Sequence, residues 1–111
     1  MLIYKILLPA EWARFETAGQ FDGSPFDQSS GFIHCSSRDQ VGDTALRVFG
    51  PEPALVVVTL DAQMVGGSLR WESARDGSPF PHVYAPLPLS AVVAVHRLDG
   101  AASVDDVLPR E

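Results

Sequence analysis

A histidine and a serine two residues apart, inside an apolar stretch, are the most chemically suggestive feature of this sequence. Residues 31–36 read GFIHCS, a composition typical of a β-strand. Side chains on a strand alternate between its two faces, so His34 and Ser36 share a face with Phe32. A histidine beside a hydroxyl group can bind a ligand hydroxyl or transfer a proton near neutral pH. This strand is therefore the first candidate for a functional site.

The same spacing of two polar side chains occurs twice more along the chain. Arg70 and Glu72 form one such pair, and His82 and Tyr84 form the other. If the three segments are strands of one small sheet, their faces collect two imidazoles, a carboxylate, a guanidinium, a phenol and a hydroxyl. Such a collection is typical of a binding or catalytic site.

These pairs predict one concave pocket. We expect His34 and Ser36 on the same face of a sheet, within reach of the third pair, with Phe32 or Trp71 in the pocket lining. Each residue also has a structural interpretation, because a half-buried histidine is often bonded to backbone and a serine at this position can cap a helix. Glu72 would then be only the partner of a surface ion pair.

The single cysteine is predicted to be buried and unreactive. Cys35 is next to His34, and adjacent strand residues face apart, so the imidazole cannot activate the thiol within one strand. Apolar neighbours, expected from Ile33 and residues 56–58, would raise the thiol pKa. No spacing of histidine, cysteine and acidic residues matches a known metal-ligand motif, so we predict no metal site.

The composition is that of one soluble globular domain, and we expect a single domain over residues 1–111. The chain is 46% hydrophobic and 20% charged, and its eight basic and fourteen acidic residues give a net charge of −6. Scattered basic residues in an acidic chain argue against nucleic acid as a partner. No run approaches the roughly 20 apolar residues of a membrane span. We expect a cytoplasmic monomer or weak homodimer that binds a small molecule.

Two helices are predicted in the N-terminal half. The first covers residues 9–18, and the second follows Ser37, whose pairing with Gln40 forms a capping box. Its buried stripe is expected at Val41, Ala45 and Val48. Strands are predicted over residues 2–8, 31–35, 54–60, 68–74, 80–85 and 91–98.

This order of elements predicts an α+β fold with small mixed or mostly antiparallel sheets. Residues 2–8 are interpreted as a strand and not as a targeting peptide, because Lys5 interrupts the apolar run. Residues 20–30 are rich in turn formers and are expected to form a long loop. Prolines bracket residues 80–85, which favours a sheet edge. The core should span residues 1–98, with an acidic tail at 99–111 that is frayed or lightly docked.

Four blocks of the sequence are distinctive in their order and spacing. They are Ile3-Tyr4-Lys5-Ile6, Gly31-Phe32-Ile33-His34-Cys35-Ser36, Leu69-Arg70-Trp71-Glu72 and Phe80-Pro81-His82-Val83-Tyr84, the last followed by Pro86-Leu87-Pro88. Together they resemble a bacterial family known only as domain-of-unknown-function family 952. The likeness runs from residue 3 to about 97, and the family is similar to the ADP-ribosyltransferase-like folds. Those folds pack two small sheets around a cleft that binds NAD in relatives.

The resemblance implies an NAD-utilising enzyme that transfers ADP-ribose or hydrolyses NAD, with NAD as a substrate and no required cofactor. Glu72 would hold the ribose 2′-hydroxyl and stabilise positive charge, and His34 would fix a ribose hydroxyl. Lys5 occupies the position where ADP-ribosyltransferases bind the ribose through histidine or arginine. The remaining ligand-binding residues implied are Phe32, Ser36, Arg70, His82 and Tyr84.

Two other functions fit the same residues. The first is a non-catalytic domain that binds a small anion or nucleotide through His34, Ser36, Arg70 and His82. It would keep its affinity without Glu72. The second is a structural or interaction domain in which the polar pairs are solvated strand faces, which predicts no pocket where they meet.

Overall fold

The computed structural model describes residues 1–110 as a mixture of short helices and antiparallel strands, so the predicted α+β class is confirmed. The strands are β1 (Leu2–Leu7), β2 (Gln20–Phe21), β3 (Ile33–His34), β4 (Leu55–Asp61), β5 (Leu69–Ser73), β6 (Pro79–Val83), β7 (Leu87–Pro88) and β8 (Val92–Leu98). The helices are α1 (Pro9–Ala18), α2 (Pro25–Ser30), α3 (Arg38–Phe49), α4 (Ala62–Val65) and α5 (Val104–Val107). None of these helices is both long and apolar enough to cross a membrane.

The main sheet has the strand order β1-β4-β8 and separates two hydrophobic cores. β4 lies in its centre, and Leu55–Leu60 are all buried, as expected for a strand that is apolar on both faces. Ile3 on β1 faces the core that α1 covers, and Tyr4 faces the core beneath α3. Lys5 lies on the same face of β1 as Ile3, so its charged side chain enters a largely apolar layer.

A second sheet has the order β3-β6-β5 and meets the first at one point. Tyr4 of β1 and Ser36 exchange two backbone hydrogen bonds of 2.8 Å each, which makes an isolated antiparallel bridge. Beyond this bridge the two sheets diverge. A third sheet pairs β2 with β7.

The predicted loop at residues 20–30 is wrong, because it contains β2 and the helix α2. Ser24 caps this helix: its hydroxyl accepts a hydrogen bond from the Asp27 N–H at 3.1 Å, and the Asp27 carboxylate accepts one from the Ser24 N–H at 2.9 Å. Pro25 occupies the first helical position, and Gly31 ends the helix in a left-handed conformation. The first half of the chain therefore has three helices, one more than predicted.

The prediction of an edge position for residues 80–85 is also wrong, because β6 is the central strand of its sheet. The Pro81 carbonyl accepts a hydrogen bond from the Cys35 N–H at 3.0 Å, so the backbone N and O of Pro81 face β3. The nitrogen of Pro79, two residues earlier, faces the same way. Since β3 is only two residues long, the missing N–H groups of the prolines cost few ladder bonds.

The end of the chain packs more firmly than predicted. Val104 and Leu108 are buried in the second core, and Arg38 of α3 donates hydrogen bonds to the Leu108 carbonyl at 2.9 Å and to the Asp105 carboxylate at 2.8 Å. The expectation of a frayed or lightly docked tail therefore does not hold for residues 101–108. Glu111, which that expectation included, lies outside the described residues.

The capping of α3 agrees with the sequence, but its predicted buried stripe is only partly correct. The Ser37 N–H donates to Gln40 Oε1 at 2.9 Å, and Val41 and Ala45 are fully buried. Val48 is 52% exposed and faces a cleft between the two sheets.

Candidate functional site

Arg70, His82 and His34 lie side by side across the second sheet. The strand register places His34 of β3 opposite His82 of β6, and His82 opposite Arg70 of β5. Residues directly opposite each other in an antiparallel sheet project to the same face. The structure therefore brings together one residue from each of the three polar pairs that the sequence spacing indicated, with the two imidazole rings 5.7 Å apart between centroids.

His34 is held by a buried carboxylate that the sequence did not reveal. Its Nδ1 lies 2.7 Å from Oδ1 of Asp27, a residue of α2 that is 2% exposed. Oδ2 of Asp27 accepts a hydrogen bond from the Lys5 ammonium at 2.9 Å. Lys5 also donates to the His34 carbonyl at 2.8 Å. The three side chains form one connected group at the junction of β1, α2 and β3.

Asp27 remains ionised despite its burial. Burial alone would raise the pKa of this carboxyl. The hydrogen bond from His34, the charge of Lys5 and the backbone N–H groups of Ser24 and His34 outweigh that effect, and they hold the pKa below its ordinary value. The site therefore contains a permanent negative charge behind one imidazole.

His82 has a matching carboxylate on the neighbouring strand. Its Nδ1 lies 2.8 Å from Oε1 of Glu72, and the same oxygen accepts a hydrogen bond from the Tyr84 hydroxyl at 2.6 Å. The hydrogen bonds from Tyr84 and His82 lower the pKa of Glu72, and the bond to Glu72 raises the pKa of Tyr84. Oε2 of Glu72 makes no hydrogen bond within residues 1–110.

Both imidazoles therefore have the same hydrogen-bond arrangement. An ionised carboxylate only accepts hydrogen bonds, so the neutral ring carries its proton on Nδ1 and its lone pair on Nε2. Neither Nε2 atom has a hydrogen-bond partner in the described part of the chain. Neither is buried. Within the described residues, the one side-chain nitrogen or oxygen that is both buried and without a hydrogen-bond partner is Nε2 of His96. Nε2 of each imidazole is thus solvent-accessible, and it accepts a hydrogen bond when the ring is neutral.

Aromatic rings fix the orientation of these imidazoles. The Phe32 ring stacks on His82 with centroids 4.1 Å apart and contacts His34 at 4.5 Å. On the other side, Phe26 of α2 lies nearly parallel to His34, also at 4.5 Å. Phe26 is 62% exposed, which is unusual for so large an apolar side chain. It leaves an apolar ring face available beside the imidazole.

A cleft of about 900 Å³ opens where the two sheets diverge. His34, Ser36 and His82 lie in its lining, together with Lys5 and Phe26. The volume is at the upper end of the range for small-molecule sites and is large enough for a nucleotide. The lining also includes residues of α3 and of the turn between β5 and β6.

Five residues predicted for the site or its pocket are absent from the lining of this cleft: Phe32, Arg70, Trp71, Glu72 and Tyr84. Phe32 and Tyr84 border a smaller hollow of about 260 Å³ on the other side of the imidazole cluster. Trp71 faces away from its strand neighbours Arg70 and Glu72 and is 41% exposed. The prediction of Phe32 or Trp71 in the lining is therefore wrong for the main cleft.

Ser36 has a structural role as well as a place in the cleft. Its backbone forms the bridge to Tyr4, and its hydroxyl lies 3.4 Å from the Thr44 hydroxyl of α3. Helix capping falls to Ser37 instead. The position of Ser36 is consistent with a site that includes the junction between the two sheets.

Cys35 faces away from the cluster and is buried in the first core, as predicted. Its neighbours there include Ile33, Val56 and Val58. Burial raises the pKa of the thiol to about 12. Within residues 1–110, no three histidine, cysteine or acidic side chains are placed to hold a metal ion.

Sequence reasoning missed Asp27 and Phe26. The available signal was the capping box from Ser24 to Asp27 with Pro25 between them, which indicates a helix start. It gives no indication that the capping carboxylate also reaches His34. That contact depends on how α2 packs against β3.

Comparisons with known proteins agree with this fold. Residues 6–95 match the model of a family described as a protein of unknown function, DUF952. The crystal structure of protein CC0527 from Caulobacter crescentus superposes with a TM-score of 0.85 at 41% sequence identity, covering 90% of this chain and 91% of that one. The solution NMR structure of CC0527 gives a TM-score of 0.78 at 43% identity, covering 88% and 84%. No curated protein matches this chain. With most of its length matched by the family model, the chain belongs to the DUF952 family.

Proposed function

We propose that the chain is an NAD-utilising enzyme with an ADP-ribosyltransferase-like fold. It would break the bond between nicotinamide and ribose and pass ADP-ribose to water or to another acceptor. The observation that carries this proposal is the pair of carboxylate-backed imidazoles, His34 and His82, at a cleft of nucleotide size. Two small antiparallel sheets that diverge from a single bridge support the fold assignment.

In the proposed reaction, the bond from ribose C1′ to the nicotinamide nitrogen breaks, and its electron pair leaves with nicotinamide. The ribose becomes an oxocarbenium-like cation in the transition state. Glu72 stabilises that charge and holds the 2′-hydroxyl through its free Oε2. The incoming water forms the new C–O bond and gives its proton to Nε2 of His34. Asp27 then balances the charge of the imidazolium.

Lys5 takes a positioning role in this proposal. Its ammonium is buried and bonded to Asp27 and to the His34 carbonyl, so the lysine fixes the carboxylate behind the imidazole. The resemblance implied direct ribose binding at this position. With these bonds in place, a contact between NAD and the Lys5 ammonium is not part of the mechanism.

A decisive experiment combines calorimetry with NAD and an assay for nicotinamide release by the wild-type protein. We expect binding heat and a steady release of nicotinamide. ADP-ribose serves as a matched ligand that lacks the scissile bond. The absence of both heat and nicotinamide with NAD would remove the enzyme proposal.

A second candidate function is a non-catalytic domain that binds a nucleotide or small anion. Arg47 of α3, which lies 3.8 Å from the Asp43 carboxylate, and Arg75 of the β5–β6 turn also line the cleft. An arginine there suits a phosphate group. Heat from ADP-ribose with no nicotinamide release from NAD would favour this alternative. It also predicts that Glu72→Gln leaves the affinity nearly unchanged.

A further inference from the structure

The two imidazoles form an acid–base pair that could act on a reaction other than glycosidic cleavage. The rings of His34 and His82 are 5.7 Å apart between centroids, with their planes inclined at 69°. Each Nδ1 is bonded to a carboxylate and each Nε2 is accessible. Hydrolysis of a phosphate ester requires one group that takes a proton from water and a second that gives a proton to the leaving oxygen. This pair provides two such groups, with ring centroids 5.7 Å apart.

A cation lies in the same row of the sheet. Arg70 is directly opposite His82, and its guanidinium lies 5.7 Å from the centre of the Tyr84 ring. The Arg70 guanidinium makes no ion pair or hydrogen bond with other groups of residues 1–110. Arginine binds phosphate oxygens with two parallel N–H groups. The whole chain has a net charge of −6, so the Arg70 guanidinium beside two imidazoles is a local positive group that favours an anionic substrate.

We propose that this face hydrolyses a cyclic phosphodiester of the nucleoside 2′,3′-cyclic phosphate class, with water as the co-substrate. The cleft beside His34 accommodates a nucleoside, and the exposed ring of Phe26 provides a face on which a base stacks. The site offers two imidazoles and a guanidinium to the phosphate. This activity is independent of NAD cleavage and does not depend on the function proposed above.

The reaction balances with the groups present. Nε2 of neutral His34 removes a proton from water, the water oxygen forms a bond to phosphorus, and one ester P–O bond of the ring breaks. The leaving ribose oxygen receives the proton from Nε2 of the His82 imidazolium. The product is a nucleoside phosphomonoester, and a proton exchange with solvent restores both rings.

The surrounding charges decide which imidazole has which role. Asp27 has a second cationic partner besides His34, the Lys5 ammonium at 2.9 Å. Glu72 has no ammonium or guanidinium within ion-pair distance in the described chain, and its ion-pair partner there is His82. His34 is therefore assigned as the base and His82 as the acid.

The test uses wild-type protein with adenosine and cytidine 2′,3′-cyclic phosphates, with a chelator present and the products identified by phosphorus NMR. We expect the phosphomonoester, and at least a hundredfold loss of kcat/KM for His34→Ala and for His82→Ala, because each removes one proton-transfer group. The double variant should lose little more than the worse single variant, since the two groups act as a unit. Arg70→Ala should lose about tenfold. His96→Ala and Arg14→Ala, matched changes outside the site, should stay within twofold.

Thermal melts of each variant separate a loss of chemistry from a loss of folding. As a measurement that needs no variant, proton NMR of the wild type with a nucleoside 3′-monophosphate should shift the ring signals of His34 and His82 but not those of His96. A wild type that leaves both cyclic phosphates intact, a double variant as fast as the wild type, or unmoved His34 and His82 signals would overturn the proposal. Nicotinamide release measured on the same preparation shows separately whether the NAD proposal holds.

Discussion

Asp27 and His34 are joined twice, once through the side chain and once through the backbone. Oδ1 of Asp27 lies 2.7 Å from the imidazole Nδ1 and accepts the His34 backbone N–H at 3.0 Å. The same carboxylate caps its own helix through Ser24 and accepts the Lys5 ammonium. One buried side chain thus determines the helix start, the ion pair and the orientation of a candidate catalytic ring.

The first prediction concerns the stability that this carboxylate provides. Asp27→Asn leaves the Lys5 ammonium buried without a counter-charge, and the free energy of unfolding should fall by about 3–5 kcal/mol. Urea denaturation measures the change. Asp22→Asn, at an exposed position five residues earlier, is the matched control and should change stability by less than about 0.5 kcal/mol. A similar small change for Asp27→Asn would show that the buried pair contributes little.

The second prediction concerns the pH dependence of that stability. The folded pKa of Asp27 is lower than its ordinary value of 3.8, so its contribution is present above the unfolded pKa and is lost as pH falls toward the folded pKa. The stability difference between wild type and Asp27→Asn should therefore be greatest near pH 6 and should shrink at pH 3. Urea titrations of both proteins at the two pH values check this. A difference that stays constant or grows on acidification would contradict the assignment.

The third prediction concerns Cys35. Because the thiol is fully buried and its pKa is raised to about 12, a thiol reagent at neutral pH should not label the native protein within hours. The same reagent should label it at once in concentrated urea. Mass spectrometry detects both products, and rapid labelling of the native protein would contradict the buried placement.

The fourth prediction concerns Glu72 in the NAD reaction. Glu72→Gln keeps the size of the side chain and most of its hydrogen bonds but removes the negative charge that favours a developing cation. NAD binding should survive while the rate of nicotinamide release falls at least a hundredfold. Glu16→Gln on the exposed face of α1 is the control. Equal rates for wild type and Glu72→Gln would exclude this role of the carboxylate.

The fifth prediction concerns His34 as a ligand-binding residue. Removing the imidazole leaves a polar group of the ligand unmet, so His34→Ala should weaken NAD binding by about 1–2 kcal/mol. Calorimetry measures the affinity, and His96→Ala is the control because His96 lies on β8, outside the cleft lining. An unchanged affinity for His34→Ala would mean that NAD does not contact this ring.

The alternation of polar residues was enough to predict that three strands carry one cluster. The i, i+2 spacing places His34 with Ser36, and Arg70 with Glu72, on common faces whatever the details of the fold. The register between strands does not follow from the spacing. The finding that His82 lies opposite both His34 and Arg70 comes from the pairing of β3, β5 and β6.

The errors in the fold prediction arose where distant contacts determine the structure. Residues 20–30 look like a loop by composition, yet a capping box and a buried carboxylate organise half of them into α2. Residues 80–85 look like an edge because of their prolines, yet the neighbouring strand is so short that β6 sits in the centre. The segment after residue 98 is acidic, yet Val104 and Leu108 are buried in the second core together with residues of α3 and the main sheet.

The attachment of the chain end to α3 also has a consequence for the order of folding. The buried guanidinium of Arg38 takes its acceptors from Asp105, Leu108 and Pro109, about 70 residues later. Until those residues have been synthesised, the Arg38 guanidinium lacks these acceptors and α3 lacks its contacts with α5. The α3 wall of the cleft therefore gains its last partners only when this segment is present. A nascent chain that already contains both imidazoles still lacks the finished cleft beside them.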